Sequence, residues 1–104
     1  MEKHKVKLVL NPIFGLRGHR SYTIKLPSNS STGYSWKRCE RYCPSIIDDS
    51  HCYEQYDGPP GTGGVEIWTF TATGKGNETV KLVYSQGGIP EDVRDELEIY
   101  FIVG

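Results

Sequence analysis

Apolar residues recur at every second position in several short runs of this chain, and no long stretch carries the helical period of about 3.6 residues. Val6-Lys7-Leu8-Val9-Leu10 is an apolar-rich strand signal, and Tyr22-Thr23-Ile24-Lys25-Leu26 alternates large apolar side chains with polar or small ones. Successive side chains of a strand point to opposite faces, so this pattern sets one face on a core and the other in water. Residues 65–72, 79–84 and 97–103 are rich in Val, Ile, Thr, Tyr, Phe and Trp, which suit a pleated, half-buried surface. Turn clusters separate the runs: Asn11-Pro12, Pro27-Ser28-Asn29, Asp57-Gly58-Pro59-Pro60, Gly74-Lys75-Gly76-Asn77 and Gly87-Gly88-Ile89-Pro90. The best helical candidate, residues 90–97, amounts to a turn or two after a proline. Many short strands joined by glycine-rich turns predict an all-β sandwich or barrel. With 104 residues, no internal repeat and no linker, the expectation is one domain over 1–104.

Charge narrows the partners. Lys and Arg number 12 against 13 Asp and Glu, for a net charge of −1. Nucleic-acid binding needs a basic excess or a basic face. The cluster Lys3, His4, Lys5, Lys7 reads instead as the solvated side of a strand, so no nucleic-acid partner is expected. No apolar run approaches the roughly 20 residues of a membrane helix. The start, Met1-Glu2-Lys3-His4-Lys5, leads into too short an apolar run for a signal peptide. The expected location is the cytoplasm or an endo-lysosomal vesicle, with no membrane partner; monomer is the default state.

Three cysteines, Cys39, Cys43 and Cys52, crowd into residues 39–52. An odd number excludes a complete disulfide framework. The alternatives are one bridge from Cys52 to Cys39 or Cys43, or reduced thiols, the expectation for a cytosol. A zinc site from Cys39, Cys43, His51 and Cys52 has the right ligand count. Adjacent strand residues point apart, however, which spoils the His51-Cys52 pair both as ligands and as a nucleophile with its base. Neither metal nor catalysis is expected. Gly58-Pro59-Pro60-Gly61-Thr62-Gly63-Gly64 superficially resembles a phosphate-binding loop. Gly64 and Val65 replace the lysine and hydroxyl that such a loop requires, and a strand pattern follows where a helix should start.

Two loops stand out between strong strands. In the first, Leu26 to Trp36, Pro27 restrains the backbone, Asn29 can cap a turn and Gly33 can take a positive φ. Tyr34 and Trp36, two apart, face the same side of the strand that follows, with Trp36 expected in the core. The second is the glycine-rich segment, whose Gly61, Gly63 and Gly64 are expected to leave backbone groups uncovered. The chain here resembles the chagasin-type inhibitors of cysteine peptidases. Their first signature, N-P-T-T-G-[YF]-x-W, meets Asn29-Ser30-Ser31-Thr32-Gly33-Tyr34-Ser35-Trp36; their second, G-x-G-G, meets Gly61-Thr62-Gly63-Gly64. A strand ending in Tyr84 follows, as in the family, and the likeness runs over residues 22–84. The third signature, R-P-W, is replaced by Ser85, Gln86, Gly87 and Gly88. Arg and aromatic anchors often dominate interfaces, so this departure removes a few kcal/mol unless Ile89, Pro90 or Val93 supplies another apolar contact.

The resemblance implies an immunoglobulin-like β-sandwich of about seven to eight antiparallel strands, and a wedge of three loops at one end. Asn29, Ser30, Ser31, Thr32, Gly33 and Tyr34 would enter the cleft of a papain-like, cathepsin L-type cysteine peptidase in a 1:1 complex. Thr32 would lie closest to the catalytic Cys and His. Pro59, Pro60, Gly61, Thr62, Gly63 and Gly64 would line the substrate groove, with the Pro60 ring in the main specificity pocket. The segment from Ser85 through Gln86, Gly87 and Gly88 would meet the other rim. Inhibition would be reversible, competitive and non-covalent, with no cofactor. The competing reading is a non-inhibitory immunoglobulin-like binding or adhesion module that keeps Trp36, Trp68 and Phe70 as core and asks nothing of its loops. Asn29-Ser30-Ser31 and Asn77-Glu78-Thr79 both fit the N-glycosylation pattern; a wedge requires Asn29 unmodified. Tyr53 and Tyr56 are expected to cover a core edge.

Overall fold

The computed structural model describes residues 2–10, 20–39, 45–86 and 93–104. Two sheets face each other. In the first, the order is β1 (Glu2–Leu10), β7 (Val93–Val103), β6 (Gly76–Gln86), β3 (Tyr34–Cys39); in the second it is β2 (Arg20–Ser28), β5 (Gly64–Ala72), β4 (Ile47–Gln55). A single 3₁₀ turn, Ser30–Thr32, joins β2 to β3. The expected all-β sandwich is therefore what forms, with one pairing of the other sense. β1 runs parallel to β7, with Val6 opposite Ile99, while the remaining pairs are antiparallel.

Alternation explains the core. Trp68 and Phe70 of β5, Val80 and Leu82 of β6, and Ile99 and Phe101 of β7 lie on inward positions and are all but fully buried. The Phe70 and Phe101 rings meet across the sheets at 5.6 Å. Burying a side chain of this size contributes about 1.5–3 kcal/mol. Residues 93–97, expected as part of a short helix, are strand: Leu97 faces Leu82, and period two continues through Ile99 and Phe101 to Val103. The three residues before Val93 lie outside the described residues.

β4 is the strand that the sequence conceals, because only Ile47 of its inward residues is apolar and buried. It is held by charge. Arg38 of β3 reaches across the sheets with one terminal nitrogen at 2.6 Å from Asp49 of β4 and the other at 2.8 Å from Glu78 of β6. It also donates to the Ile47 carbonyl at 2.8 Å, and Glu78 accepts from the Ile46 N–H and from the Ser45 hydroxyl. The Arg38 and Glu78 side chains are each only 7% exposed. Removing one member of such a cluster strands the others without a partner. Arg38→Ala is expected to lower stability by about 3–5 kcal/mol, read as a shift of the urea midpoint at unchanged slope.

Candidate functional site

Topology assembles the site. The C-terminal ends of β2 and β4 lie beside the start of β5, where Ser28 and Gln55 both pair with Gly64. At the same end of the other sheet, Tyr34 at the start of β3 pairs with Gln86 at the end of β6. Loop 1 (residues 29–33) crosses from one sheet to the other. Loop 2 (56–63) closes the second sheet, and Ser85 and Gln86 end β6 in the first. Loop 1, loop 2 and the end of β6 thus share one end of the sandwich, with loop 1 in the middle.

Both ends of loop 1 are fastened to one buried group, Glu66, which is 3% exposed. Its carboxylate accepts from the Ser28 hydroxyl at 2.6 Å, the Trp36 backbone N–H at 3.0 Å and the Trp68 indole N–H at 3.3 Å. The Trp36 indole donates to the Pro27 carbonyl at 3.0 Å, a second stitch between the sheets. Trp36 is buried, as expected. Above it, the Tyr84 ring packs at 5.3 Å from Trp36 and 5.5 Å from Tyr34, and the Tyr84 hydroxyl accepts from the Asn29 N–H at 2.9 Å.

Within loop 1, Asn29 organises the turn. Its Oδ1 accepts from the Ser31 N–H and hydroxyl at 3.1 and 2.6 Å, and its carbonyl accepts from the Thr32 N–H and hydroxyl at 3.1 and 2.7 Å. The chain then reverses at Gly33, whose φ of 82° is costly for any residue with a Cβ. The neighbours hold the loop from either side. Asn29 Nδ2 donates to the Gly61 carbonyl of loop 2 at 3.0 Å, and Gln86 Nε2 donates to the Thr32 carbonyl at 3.3 Å. The first of these bonds takes one of the two N–H groups of Asn29 Nδ2, while Asn77 of the other glycosylation pattern is exposed. Ser31, Thr32 and Gly33 face solvent.

Loop 2 divides into a presented tip and a buried stem. Pro59, Pro60, Gly61 and Thr62 are exposed, in a tight turn where the Thr62 N–H and hydroxyl donate to the Pro59 carbonyl at 3.2 and 2.6 Å. Gly63 and Gly64, expected to offer uncovered backbone, are buried instead. The Gly63 carbonyl accepts from the Tyr56 N–H at 3.0 Å. Gly64 sits so close to Glu54 and Gln55 that an added Cβ would collide with the Glu54 carbonyl and lie 2.9 Å from Gln55 Cα. Its glycine is a packing requirement.

The third segment also differs from expectation. Ser85 is 3% exposed and paired within the sheet, where its carbonyl and hydroxyl accept from Lys37 Nζ at 2.9 and 3.1 Å. Gln86 is exposed and faces loop 1; Gly87, Gly88, Ile89 and Pro90 lie outside the described residues. Beside them β7 carries an extra residue, Arg94, between the pairs Tyr84–Asp95 and Ser85–Val93. Such a bulge re-aims a side chain. Arg94 Nε donates to the Tyr34 hydroxyl at 3.0 Å, and its guanidinium carbon lies 5.1 Å from that ring's centre.

Sequence reasoning missed Glu66 and Arg94. A charged residue at an inward position of an apolar strand was the available signal for Glu66; nothing local announces the bulge. The His51 ring lies flat on Trp68 at 4.1 Å, while Cys52, a free thiol, projects from the opposite face of β4. Among the described residues no bridge joins Cys52 to Cys39, and His51 and Cys52 do not share a face; Cys43 lies outside the described residues. Tyr53 and Tyr56, expected to cover a core edge, are 36% and 54% exposed.

A buried carboxylate that ties down both ends of a small-residue loop, flanked by a proline–glycine turn, defines a sandwich built to present one rigid edge. The chain belongs to the chagasin family of peptidase inhibitors, I42, whose family model matches residues 16–101. It is an inhibitor rather than an enzyme. Among solved structures it is similar to the cysteine protease inhibitor EhICP2 from Entamoeba histolytica, with a TM-score of 0.67 at 20% identity, covering 99% of this chain and 96% of that one. It is also similar to amebosin, with a TM-score of 0.70 at 20% identity over 99% and 97% of the two chains. At this identity the likeness shows a shared fold. No curated protein matches the sequence.

The Glu66 cluster makes a measurable prediction. Glu66→Gln keeps the shape but replaces a charged acceptor of three donors by a neutral amide. Stability is expected to fall by about 1.5–3 kcal/mol in urea unfolding, because bonds to a charged group are the stronger ones.

Proposed function

We propose that this chain, as a single monomeric domain, is a reversible, competitive inhibitor of papain-like cysteine peptidases. It would bind 1:1 by inserting loop 1 into the active-site cleft. The observation that carries this reading is the bracing of loop 1 from both sides, through Asn29 Nδ2 to Gly61 and through Gln86 Nε2 to the Thr32 carbonyl. An adhesion module has no need of such bracing; a wedge does. Loops already ordered before docking lose little entropy on binding, which is how a standard interface of about 1,600 Å² binds tightly.

Ser31, Thr32 and Gly33 are small enough for a narrow slot, and Thr32 stands at its tip, nearest the peptidase's Cys and His. The Thr32 hydroxyl is already bonded to the Asn29 carbonyl. A turn closed on itself in this way is a poor substrate, because a scissile peptide must lie extended in the groove. The exposed tip of loop 2, Pro59 to Thr62, runs along that groove, with the Pro60 ring in the specificity pocket. Gly63 and Gly64 act from beneath, letting the strand ends approach. Gln86, with Gly87 and Gly88, meets the opposite rim, and Ser85 supports it from within the sheet. The bent-back Arg94 and the chemistry of residues 87–90 take the place of the R-P-W signature.

Titration against papain and a cathepsin L-type enzyme, followed with a fluorogenic peptide, tests the reading. Native protein is expected to inhibit stoichiometrically near nanomolar concentration. Thr32→Arg, at an exposed position, is expected to weaken inhibition by about 100-fold, roughly 2.8 kcal/mol, while the unfolding midpoint stays within error. If neither enzyme is slowed by tens of micromolar native protein, the inhibitor reading is wrong and the edge serves another partner.

A further inference from the structure

Four large hydrophobic side chains are prominently exposed among the described residues: Val9, Tyr53, Tyr56 and Tyr100. Val9 pairs with Ile102 at the far end of the first sheet, and Tyr100 pairs with Lys7 and Thr79. Tyr56 is different. It is as open as Val9, at 54%, but stands at the loop-bearing end, one residue past the last β4 pair, Gln55–Gly64; Tyr53, within β4 opposite Glu66, is less open at 36%. Its backbone N–H closes the neck of loop 2 on the Gly63 carbonyl. The ring is therefore carried on a fixed stem. It borders a groove of about 400 Å³ shared with Asn29, Thr62, Trp36 and Tyr84, so the open aromatic adjoins both proposed contact loops.

The rest of the edge explains why such a residue matters. Loops 1 and 2 present Ser, Thr, Gly and Pro, which fit a cleft but bury little apolar area. A tyrosine buries about 150–250 Å² and loses few rotatable bonds in doing so. Interface energy concentrates in Tyr, Trp and Arg anchors surrounded by near-neutral contacts. A half-exposed ring keeps apolar area available to a partner, and among the described residues no hydrogen bond from the Tyr56 hydroxyl holds it inward.

We propose that Tyr56 is an affinity-determining anchor of the inhibitory edge, packing its ring on an apolar surface of the peptidase along the rim that loop 2 follows. The proposal rests on the inhibitor reading above and adds a residue outside the matched motifs. The anchor works through its ring face, so the hydroxyl is dispensable.

The test compares Tyr56→Ala and Tyr56→Phe with native protein and Thr32→Arg, measuring association and dissociation rates against papain and the cathepsin L-type enzyme. Tyr56→Ala is expected to weaken binding by about 30-fold with either enzyme, mostly through faster dissociation. Tyr56→Phe is expected to stay within about threefold, and both variants are expected to unfold at the native midpoint, since an exposed position lacks the mechanisms of large destabilisation. If Tyr56→Ala stays within about threefold of native for both enzymes while Thr32→Arg fails, the anchor is refuted and the wedge stands. Equal losses in Tyr56→Phe and Tyr56→Ala also overturn it, since the hydroxyl would then be the contact. If native protein inhibits neither enzyme, both readings fall together.

Discussion

The Glu66 carboxylate occupies a buried point where both sheets and both ends of loop 1 meet. A buried charge is tolerated only when donors surround it, and three do so here: the Ser28 hydroxyl, the Trp36 amide and the Trp68 indole. The consequence is geometric. Ser28 is the last residue of β2 and Trp36 lies just inside β3, so a single side chain on β5 sets the span that loop 1 must bridge. Trp36 then carries Tyr84, and Tyr84 carries the Asn29 amide. The exposed tip of the loop is thus connected to the core by a short chain of contacts, each of which is satisfied.

That arrangement suits a protein whose job is to present a shape. Loop 1 has almost no apolar side chain to pack and must be ordered by hydrogen bonds alone. Asn29 alone takes part in six of these: two with Ser31, two with Thr32, one with Gly61 and one from its own backbone N–H to Tyr84. Small residues keep the tip narrow, and Gly33 supplies a backbone angle that side chains disfavour. Among the described residues larger side chains stand at the flanks of this edge, Tyr56 on the loop 2 side and Gln86 and Arg94 on the other. A narrow neutral centre with broader shoulders is the form expected of a plug.

Most of the fold is legible in the sequence where burial writes a pattern. The runs in β1, β2, β5, β6 and the second half of β7 alternate because one face is dry. β4 is illegible for the complementary reason: at the edge of a three-stranded sheet, its Asp49 and His51 point inward yet need not be apolar, since Arg38 and the Trp68 ring receive them. Residues 93–97 follow a proline and carry mixed charges, which suggested a short helix until their pairing with β6 became visible. The parallel sense of β1 leaves no local trace, because period two is the same in either direction.

The site was legible as motifs but not as roles. Thr32, Gly33 and the loop 2 prolines are exposed, and Asn29 is half-buried beneath them. Gly63 and Gly64 carry the second motif yet are buried, because a signature marks that a residue is needed without saying whether it touches a partner or makes room; Ser85, where the third motif is missing, is buried as well. What the sequence alone determined is local: which faces are apolar, where the chain turns, and that the turns are built from small residues and glycine. What only the tertiary structure decided is adjacency. Ser28 meets Glu66 across 38 positions and Asn29 meets Tyr84 across 55. Such contacts depend on sheet order and register, which no stretch of neighbouring residues encodes, and they join two ordinary loops and the end of β6 into one edge.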